Sequence, residues 1–290
     1  MELHLLKTFV AVATAGSFSA AARELGYTQS AVSQQIALLE AELGTPLLHR
    51  RPVRATAAGV RMLDHAQLVL ERMDAARAEL RRMAAADRPE LALAVSPLAL
   101  DAVLASALAA VRAAQPRVRV RVSVLDRRAV AAEVAAGGYA VGVTDGYTAP
   151  GGPLRLGDLG PVRQVGLGEE PCAVALPADH PLRRRSHLDL AQLADAGWLD
   201  APGIAAPLDD LRAATGLDAF PVRTGYDGLD VPALLALCAA GHGLALLPRG
   251  LAPTALPVRG PRLIHRRELL FAPSPSAPAR AFIDALPRGA

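Results

Sequence analysis

Cysteine is scarce: Cys172 and Cys238 are the two in 290 residues, too few for a disulfide framework and in no metal-ligand spacing. Both sit among apolar neighbours and read as core residues. Lysine is scarcer still. Of 31 basic residues all but Lys7 are arginine, so the basic charge is permanent. Long apolar runs are also missing. Residues 1–15 carry Glu2, His4 and Lys7, so neither a signal peptide nor a spanning helix is expected there, and the Ala- and Val-rich stretches elsewhere are interrupted. The expectation is a soluble, cytoplasmic protein that does not engage a membrane. Gly225-Tyr226-Asp227-Gly228 has neither the spacing nor the lysine of a nucleotide-binding loop. His180 and His187 lie seven apart and share no helix face, and no cysteine is near enough to complete a metal set. No cofactor, metal or catalytic residue is therefore expected. Ser96 with one of seven histidines is too common a coincidence to support an enzyme.

What is present is apolar and long enough for about two domains: 52% hydrophobic and 20% charged residues exclude disorder and fibrous classes. The net charge of +3 is too small to identify a polyanionic partner, so local placement must decide. Leu3, Leu6, Phe9, Val10 and Ala13 recur at helical spacing up to Gly16. Ser17 can cap a second helix over 18–25 that stops at Gly26, and Thr28 a third over 29–43 that stops at Gly44. Two helices joined by so short a Gly-containing turn form a helix-turn-helix. On the third, Val32, Ile36, Leu39 and Leu43 fall on one stripe, within about 40° of Val32 at 100° per residue. Ser30, Ser33, Gln34 and Ala37 face the other way, all uncharged. Hydroxyls and an amide suit base edges, where glutamine can pair bidentately with adenine.

After Leu47-Leu48, the run His49-Arg50-Arg51-Pro52-Val53-Arg54 reads as a basic hairpin that grips phosphates beside the groove. From Thr56 to about residue 85 one long helix is expected, with Leu63, Ala66, Leu70, Met73, Arg77, Leu80 and Met83 alternating at spacings of 3 and 4. Such a seam calls for a partner helix. Asp87-Arg88-Pro89 ends it. Strands at 91–95, 118–124 and 139–143 then alternate with helices, one of them opened by Ser96-Pro97 and running to about residue 114. A second unit runs from the strand 172–176 through 188–193, 198–199, 208–214, 220–223, 231–240 and 244–247. A strand at 268–272 and a helix at 279–286 close the chain. Alternation of this kind implies parallel sheets covered by helices.

Ser17-Phe18-Ser19-Ala20-Ala21-Ala22, Thr28-Gln29-Ser30-Ala31-Val32-Ser33-Gln34-Gln35-Ile36, Leu39-Glu40, Leu43-Gly44-Thr45-Pro46-Leu47-Leu48 and Thr56-Ala57-Ala58-Gly59 together resemble the N-terminal signature of LysR-type transcriptional regulators. Glu170-Pro171-Cys172 through His180-Pro181-Leu182 and Ala239-Ala240-Gly241-His242-Gly243 through Pro248 are similar to the family's effector domain. Two departures stand out: the wing is about two residues shorter than usual, and Gly138-Tyr139 replaces a customary acidic residue.

The resemblance implies an α+β multidomain fold. A winged helix-turn-helix occupies 1–59, a linker helix 60–87, and a two-lobed, periplasmic-binding-protein-like α/β effector domain 88–290, with lobe 1 at about 88–162 plus 266–290 and lobe 2 at about 163–265. Double-stranded DNA would be contacted by Ser17, Thr28, Gln29, Ser30, Ser33 and Gln34 and, on the wing, by Arg50, Arg51 and Arg54. Loops at the carboxyl ends of the strands, with helix N-termini beside them, place a small-molecule effector against Ser96, Pro97, Thr144, Asp145, Pro202, Gly203, Asp227 and Gly228. Free helix-end amides suit a carboxylate, and the acidic loops suit an amine or hydroxyls; an amino-acid-like molecule satisfies both. Self-association through the linker helix into a dimer and on to a tetramer is expected, with RNA polymerase as a further candidate partner. A periplasmic solute receptor would explain two lobes but not residues 1–85.

Overall fold

The structure, a computed structural model, describes residues 2–84, 89–157, 159–177, 179–251 and 255–287. The chain divides into two compact units, Met1–Arg81 and Arg82–Ala290.

In the first unit, helices α1 (Leu3–Ala15), α2 (Phe18–Leu25) and α3 (Gln29–Leu43) precede a hairpin of β1 (Leu48–Arg50) and β2 (Val53–Ala55) and then α4 (Ala57–Ala84). Ser17 Oγ accepts from the Ala20 N–H at 3.3 Å and Thr28 Oγ1 from that of Ala31 at 3.2 Å, satisfying donors that the first helical turn leaves free. The core gathers Leu5, Leu6, Phe9, Val12, Ala21, Val32, Ile36, Leu39 and Leu47. Leu43, expected on that stripe, is exposed; it is the last helical residue, where Gly44 at φ 65° turns the chain away. Thr56 Oγ1 caps α4 by accepting from the Gly59 N–H at 3.0 Å. A Cβ at Gly59 would lie 2.0 Å from the Leu47 carbonyl oxygen, so only glycine lets α4 lie this close to the chain entering the wing.

The seam along α4 is not uniform. Met62, Leu63 and Ala66 pack into the unit's own core, whereas Met73 and Leu80 are 39% and 65% exposed. The side chain of Met83 and residues 85–88, where the sequence places the helix end, lie outside the described residues.

The second unit contains β3 (Glu90–Val95), α5 (Ala102–Ala114), β4 (Arg119–Val124), α6 (Arg127–Ala135), β5 (Val141–Thr148), β6 (Arg163–Ala175), β7 (Leu188–Asp189), β8 (Trp198–Asp200), α7 (Leu208–Thr215), β9 (Val222–Gly225), α8 (Val231–Ala239), β10 (Ala245–Pro248), β11 (Leu256–Gly260), β12 (Ile264–Phe271) and α9 (Ala277–Ala285). The main sheet runs β4-β3-β5-β12-β6-β11-β7, with β10 also on β6. Strand β3 is parallel to both β4 and β5, as a β-α-β-α-β chain requires. Strand β12 returns antiparallel between β5 and β6. One core packs Leu93, Val95, Leu104, Val143, Leu269 and Phe282, and another Val174, Leu190, Trp198, Leu211, Phe220 and Leu246. Strand β6 serves both sides: its residues from Arg163 to Pro171 pair with β12, and those from Cys172 to Ala175 with β10.

Several boundaries differ from the sequence reading. Ser96-Pro97 opens no helix. The Ser96 N–H donates to the Val143 carbonyl at 3.0 Å, a sheet-type bond that keeps the chain extended, and α5 starts six residues later, where Asp101 Oδ1 caps the Leu104 N–H at 2.9 Å. Thr144 and Asp145 lie inside β5 rather than after it, because β12 pairs with β5 as far as Thr148. Asp227-Gly228 do not adjoin a helix start; α8 is capped by Asp230, whose Oδ1 accepts from Ala233 N–H at 2.9 Å.

Candidate nucleic-acid interface and effector cleft

On α3, Gln29, Ser30 and Gln34 are exposed and Ser33 half-buried, and Thr28 just before them is exposed. The Thr28 and Ser30 hydroxyls lie 3.0 Å apart, so the amino end of the helix presents hydroxyls and amides without charge. The hairpin opposes His49 to Arg54 and Arg50 to Val53. Glu40, on α3, ties that hairpin down: its Oε1 accepts from the N–H groups of Leu47 at 2.8 Å and Leu48 at 3.1 Å, and its Oε2 from Arg50 Nη2 at 2.9 Å. The Arg50 guanidinium also lies 4.9 Å from the Phe18 ring centroid. Arg50 is thus tied to its own domain although, like His49, Arg51 and Arg54, it stands exposed.

In the second unit a row of buried polar groups crosses β5 and β12. His265 Nε2 lies 3.0 Å from Asp145 Oδ2 and His265 Nδ1 lies 3.4 Å from Glu170 Oε1. On the far side of Asp145, Arg127 Nη2 is 3.6 Å from Oδ2 and donates to the Ile204 carbonyl at 2.6 Å and the Ala205 carbonyl at 3.2 Å. The Tyr147 hydroxyl donates to the same Ile204 carbonyl at 3.2 Å, so one side chain from α6 and one from β5 hold the loop after β8. Burial pushes the Asp145 carboxyl up, but the Arg127 charge and the His265 hydrogen bond outweigh it and hold the group below its ordinary value. Burial pulls His265 down, and its hydrogen bonds to Asp145 and Glu170 more than reverse this, leaving it raised. The His265 hydrogen bond likewise lowers Glu170. Burial pushes the thiols of Cys172 and Cys238 up to about 12 and about 11, so both stay protonated and inert.

Two cavities flank the row. One, of about 340 Å³, is lined by Leu98, Asp101, Glu170, Leu251, His265 and Arg267. The other, of about 810 Å³, is lined by Arg127, Asp145, Tyr147, Leu156, Asp210 and Leu263 among others.

Residues 3–60 match the model of the bacterial regulatory helix-turn-helix protein, lysR family, and residues 84–290 that of the LysR substrate binding domain. The chain belongs to the LysR family. It is a DNA-binding transcription regulator with an effector-binding domain, in a family of regulators rather than enzymes. Similar proteins include the HTH-type transcriptional regulator BudR of Raoultella terrigena, 32% identical over 266 residues that cover 89% of this chain and 88% of that one. The small neutral protease regulatory protein of Streptomyces coelicolor is 33% identical over 263 residues, covering 89% of this chain and 78% of that one. Among solved structures, full-length CbnR complexed with its target DNA matches with a TM-score of 0.56 at 25% identity, covering 99% of each chain. No helix among the described residues is long and apolar enough to cross a membrane.

In this LysR regulator the expected effector residues do not meet in one cavity. Pro97 lines the smaller cavity and Asp145 the larger. Ser96 and Thr144 are fully buried, with the Ser96 hydroxyl directed at the Val143 carbonyl at 3.4 Å and that of Thr144 donating to the Arg127 carbonyl at 3.0 Å. Pro202 and Asp227 are exposed. A Cβ at Gly203 would lie 2.8 Å from Leu229 and 3.2 Å from Asp126 Oδ2, so there the loops after β8 and β9 close against the start of α6. The helix ends expected to offer free amides are occupied: Asp101, Asp126 and Asp230 cap α5, α6 and α8. Helix α7, preceded by Pro207, has no side-chain cap. Sequence reasoning missed Arg127, Tyr147, Glu170 and His265. Asp126-Arg127 at a strand-to-helix junction was a usable signal for the first; a lone histidine in a late strand offered none.

Proposed function

We propose that this regulator reads a specific duplex with the exposed amino end of α3, holds the adjoining phosphates with its wing, and is switched by a small-molecule effector bound between the two α/β lobes. The observation that carries the reading is the uncharged, polar exposed end of α3 beside exposed Arg51 and Arg54. Ser17, Thr28, Gln29, Ser30, Ser33 and Gln34 form the base- and backbone-contacting set; Arg51 and Arg54 take phosphates, and Arg50 acts chiefly through Glu40. That CbnR is known with its target DNA supports the same mode here. The exposed apolar residues of the distal α4, Met73 and Leu80, support a homodimer through that helix, with a tetramer as the fuller assembly. The working boundaries are 1–59 for DNA binding, 60–87 for the linker and 88–290 for the effector domain. The effector is a carboxylate or amino-acid-like molecule whose binding biases lobe closure, and the protein acts in the cytoplasm, where RNA polymerase is a further partner. Footprinting across the DNA upstream of the gene tests the reading: two protected half-sites are expected, and uniform or absent protection overturns it.

A further inference from the structure

Among the described residues, four buried side-chain polar atoms lack a well-formed hydrogen bond: Arg127 Nε and Nη1, Asp145 Oδ1, and His265 Nδ1, whose contact is the 3.4 Å ion pair with Glu170 Oε1. Three of the four belong to two residues that line the 810 Å³ cavity. Arg127 is 8% exposed and Asp145 1%, so bulk water does not solvate these groups. The guanidinium has five N–H donors, and the contacts to the Ile204 and Ala205 carbonyls and to Asp145 Oδ2 all run through Nη2. The Nε and Nη1 donors are left without an acceptor, the guanidinium lying 5.3 Å from the Tyr147 ring centroid, and Asp145, which the Ser96 hydroxyl also reaches, keeps Oδ1 without a well-formed hydrogen bond. Buried charged groups left so are costly. The rest of the lining is largely apolar, Tyr147, Leu154, Leu156 and Leu263 among it, and includes Pro207 at the uncapped start of α7. Three arginines, Arg127, Arg128 and Arg155, against Asp145 and Asp210 give this lining one net positive charge.

We infer that this cavity is the effector site and that its ligand is a carboxylate bearing a hydroxyl or ammonium on the adjacent carbon and an apolar body. The carboxylate accepts from Arg127 Nε and Nη1, and the neighbouring group donates to Asp145 Oδ1. The net positive lining ranks the anionic 2-hydroxy acids above the zwitterionic amino acids. This assignment rests on the effector-controlled reading above and adds the residues and the ligand class. It also explains how a ligand reaches the lobes: Arg127 holds the loop after β8, so a carboxylate on its other nitrogens acts on the contact that joins them.

The test is thermal unfolding and calorimetric titration of the full-length protein with two matched series, 2-hydroxy-4-methylpentanoate, leucine and 4-methylpentanoate, and 3-phenyllactate, phenylalanine and 3-phenylpropanoate. In at least one series the hydroxy acid is expected to stabilise most, the amino acid less and the plain carboxylate about tenfold more weakly than the hydroxy acid, for loss of one hydrogen bond to a charged group. Arg127→Lys should weaken the hydroxy acid at least tenfold. Ala213→Trp, at an exposed position on the cavity wall, should block it without disturbing the buried row. No stabilisation in either series, equal affinity for hydroxy acid and plain carboxylate, or unchanged affinity in both variants overturns the inference. Binding of the upstream duplex in the same samples separates the two levels: DNA binding without ligand response removes this assignment alone, and loss of DNA binding removes the regulatory reading.

Discussion

Arg50 and Arg54 sit four residues apart in one basic run and both are exposed, yet Arg50 is paired with Glu40 and stacked on Phe18. Arg54→Ala should therefore weaken all duplexes alike and flatten the salt dependence by about one unit. Arg50→Ala should lower the melting temperature of the protein as well, because Glu40 loses its partner. Gln34→Ala should cost about 1–3 kcal/mol at the specific site and relax one base position. Fluorescence anisotropy across salt and operator variants checks all three, and a base preference unchanged by Gln34→Ala would remove the residue from the reading set.

His265 sits between Asp145 and Glu170, with Arg127 beyond Asp145 and the Tyr147 ring 5.4 Å away. Its pKa is raised from 6.5, so the stability it contributes is complete below about pH 6.5 and is lost as pH rises through the raised value. Asp145 and Glu170 are lowered from 3.8 and 4.5, so their contribution is complete above those values and is lost as pH falls through the lowered ones. Denaturant unfolding across pH should show a plateau between about pH 4.5 and 6.5 and a decline above it that His265→Gln abolishes. A decline of the same slope in that variant would show that another group drives it.

At the scale of elements, α4 divides into a half that its own domain uses and a half that it leaves exposed. Leu80 is 65% exposed, so a charge there should cost the isolated protomer little; in a helix–helix seam it would be a buried charge without a partner. Leu80→Glu should split the dimer and weaken operator binding together, and sedimentation of an intact dimer by that variant would remove the seam. The spacing marked an apolar stripe along α4 but not its division, since Leu63 and Met73 occupy equivalent spacings and only tertiary packing separates them. The first three helices were legible because each carries its own stop or cap, Ser17, Thr28, Gly16, Gly26 and Gly44. The full extents of β5 and β6 were not: their partner β12 lies more than ninety residues further along the chain, and no local pattern records it. The start of α5 was misplaced because Ser96 and Asp101 are both good caps, and the sheet bond from Ser96 decides between them.

For the whole molecule, function was more legible than the effector site. The recognition helix announces itself by what its exposed end lacks, and the wing by its arginines. The proposed effector cavity joins Arg127 of α6 to Asp145 of β5; the aspartate was named from the sequence, but the arginine had only the Asp126-Arg127 junction to mark it, and His265, behind Asp145, had nothing. The two units therefore differ in what should control them: salt and operator sequence for the first, ligand for the second. Full-length protein titrated against the duplex upstream of its own gene, with and without a scrambled competitor and over a range of salt, joins these expectations in one measurement. Arg51 and Arg54 from each protomer of a dimer should give a slope of log affinity against log salt of about −4 or steeper, with the upstream duplex bound at least a thousandfold more tightly than the scrambled one, roughly the lower end for specific sites. A flat salt response, or equal affinity for the two duplexes, would contradict sequence-specific DNA reading by α3 and the wing.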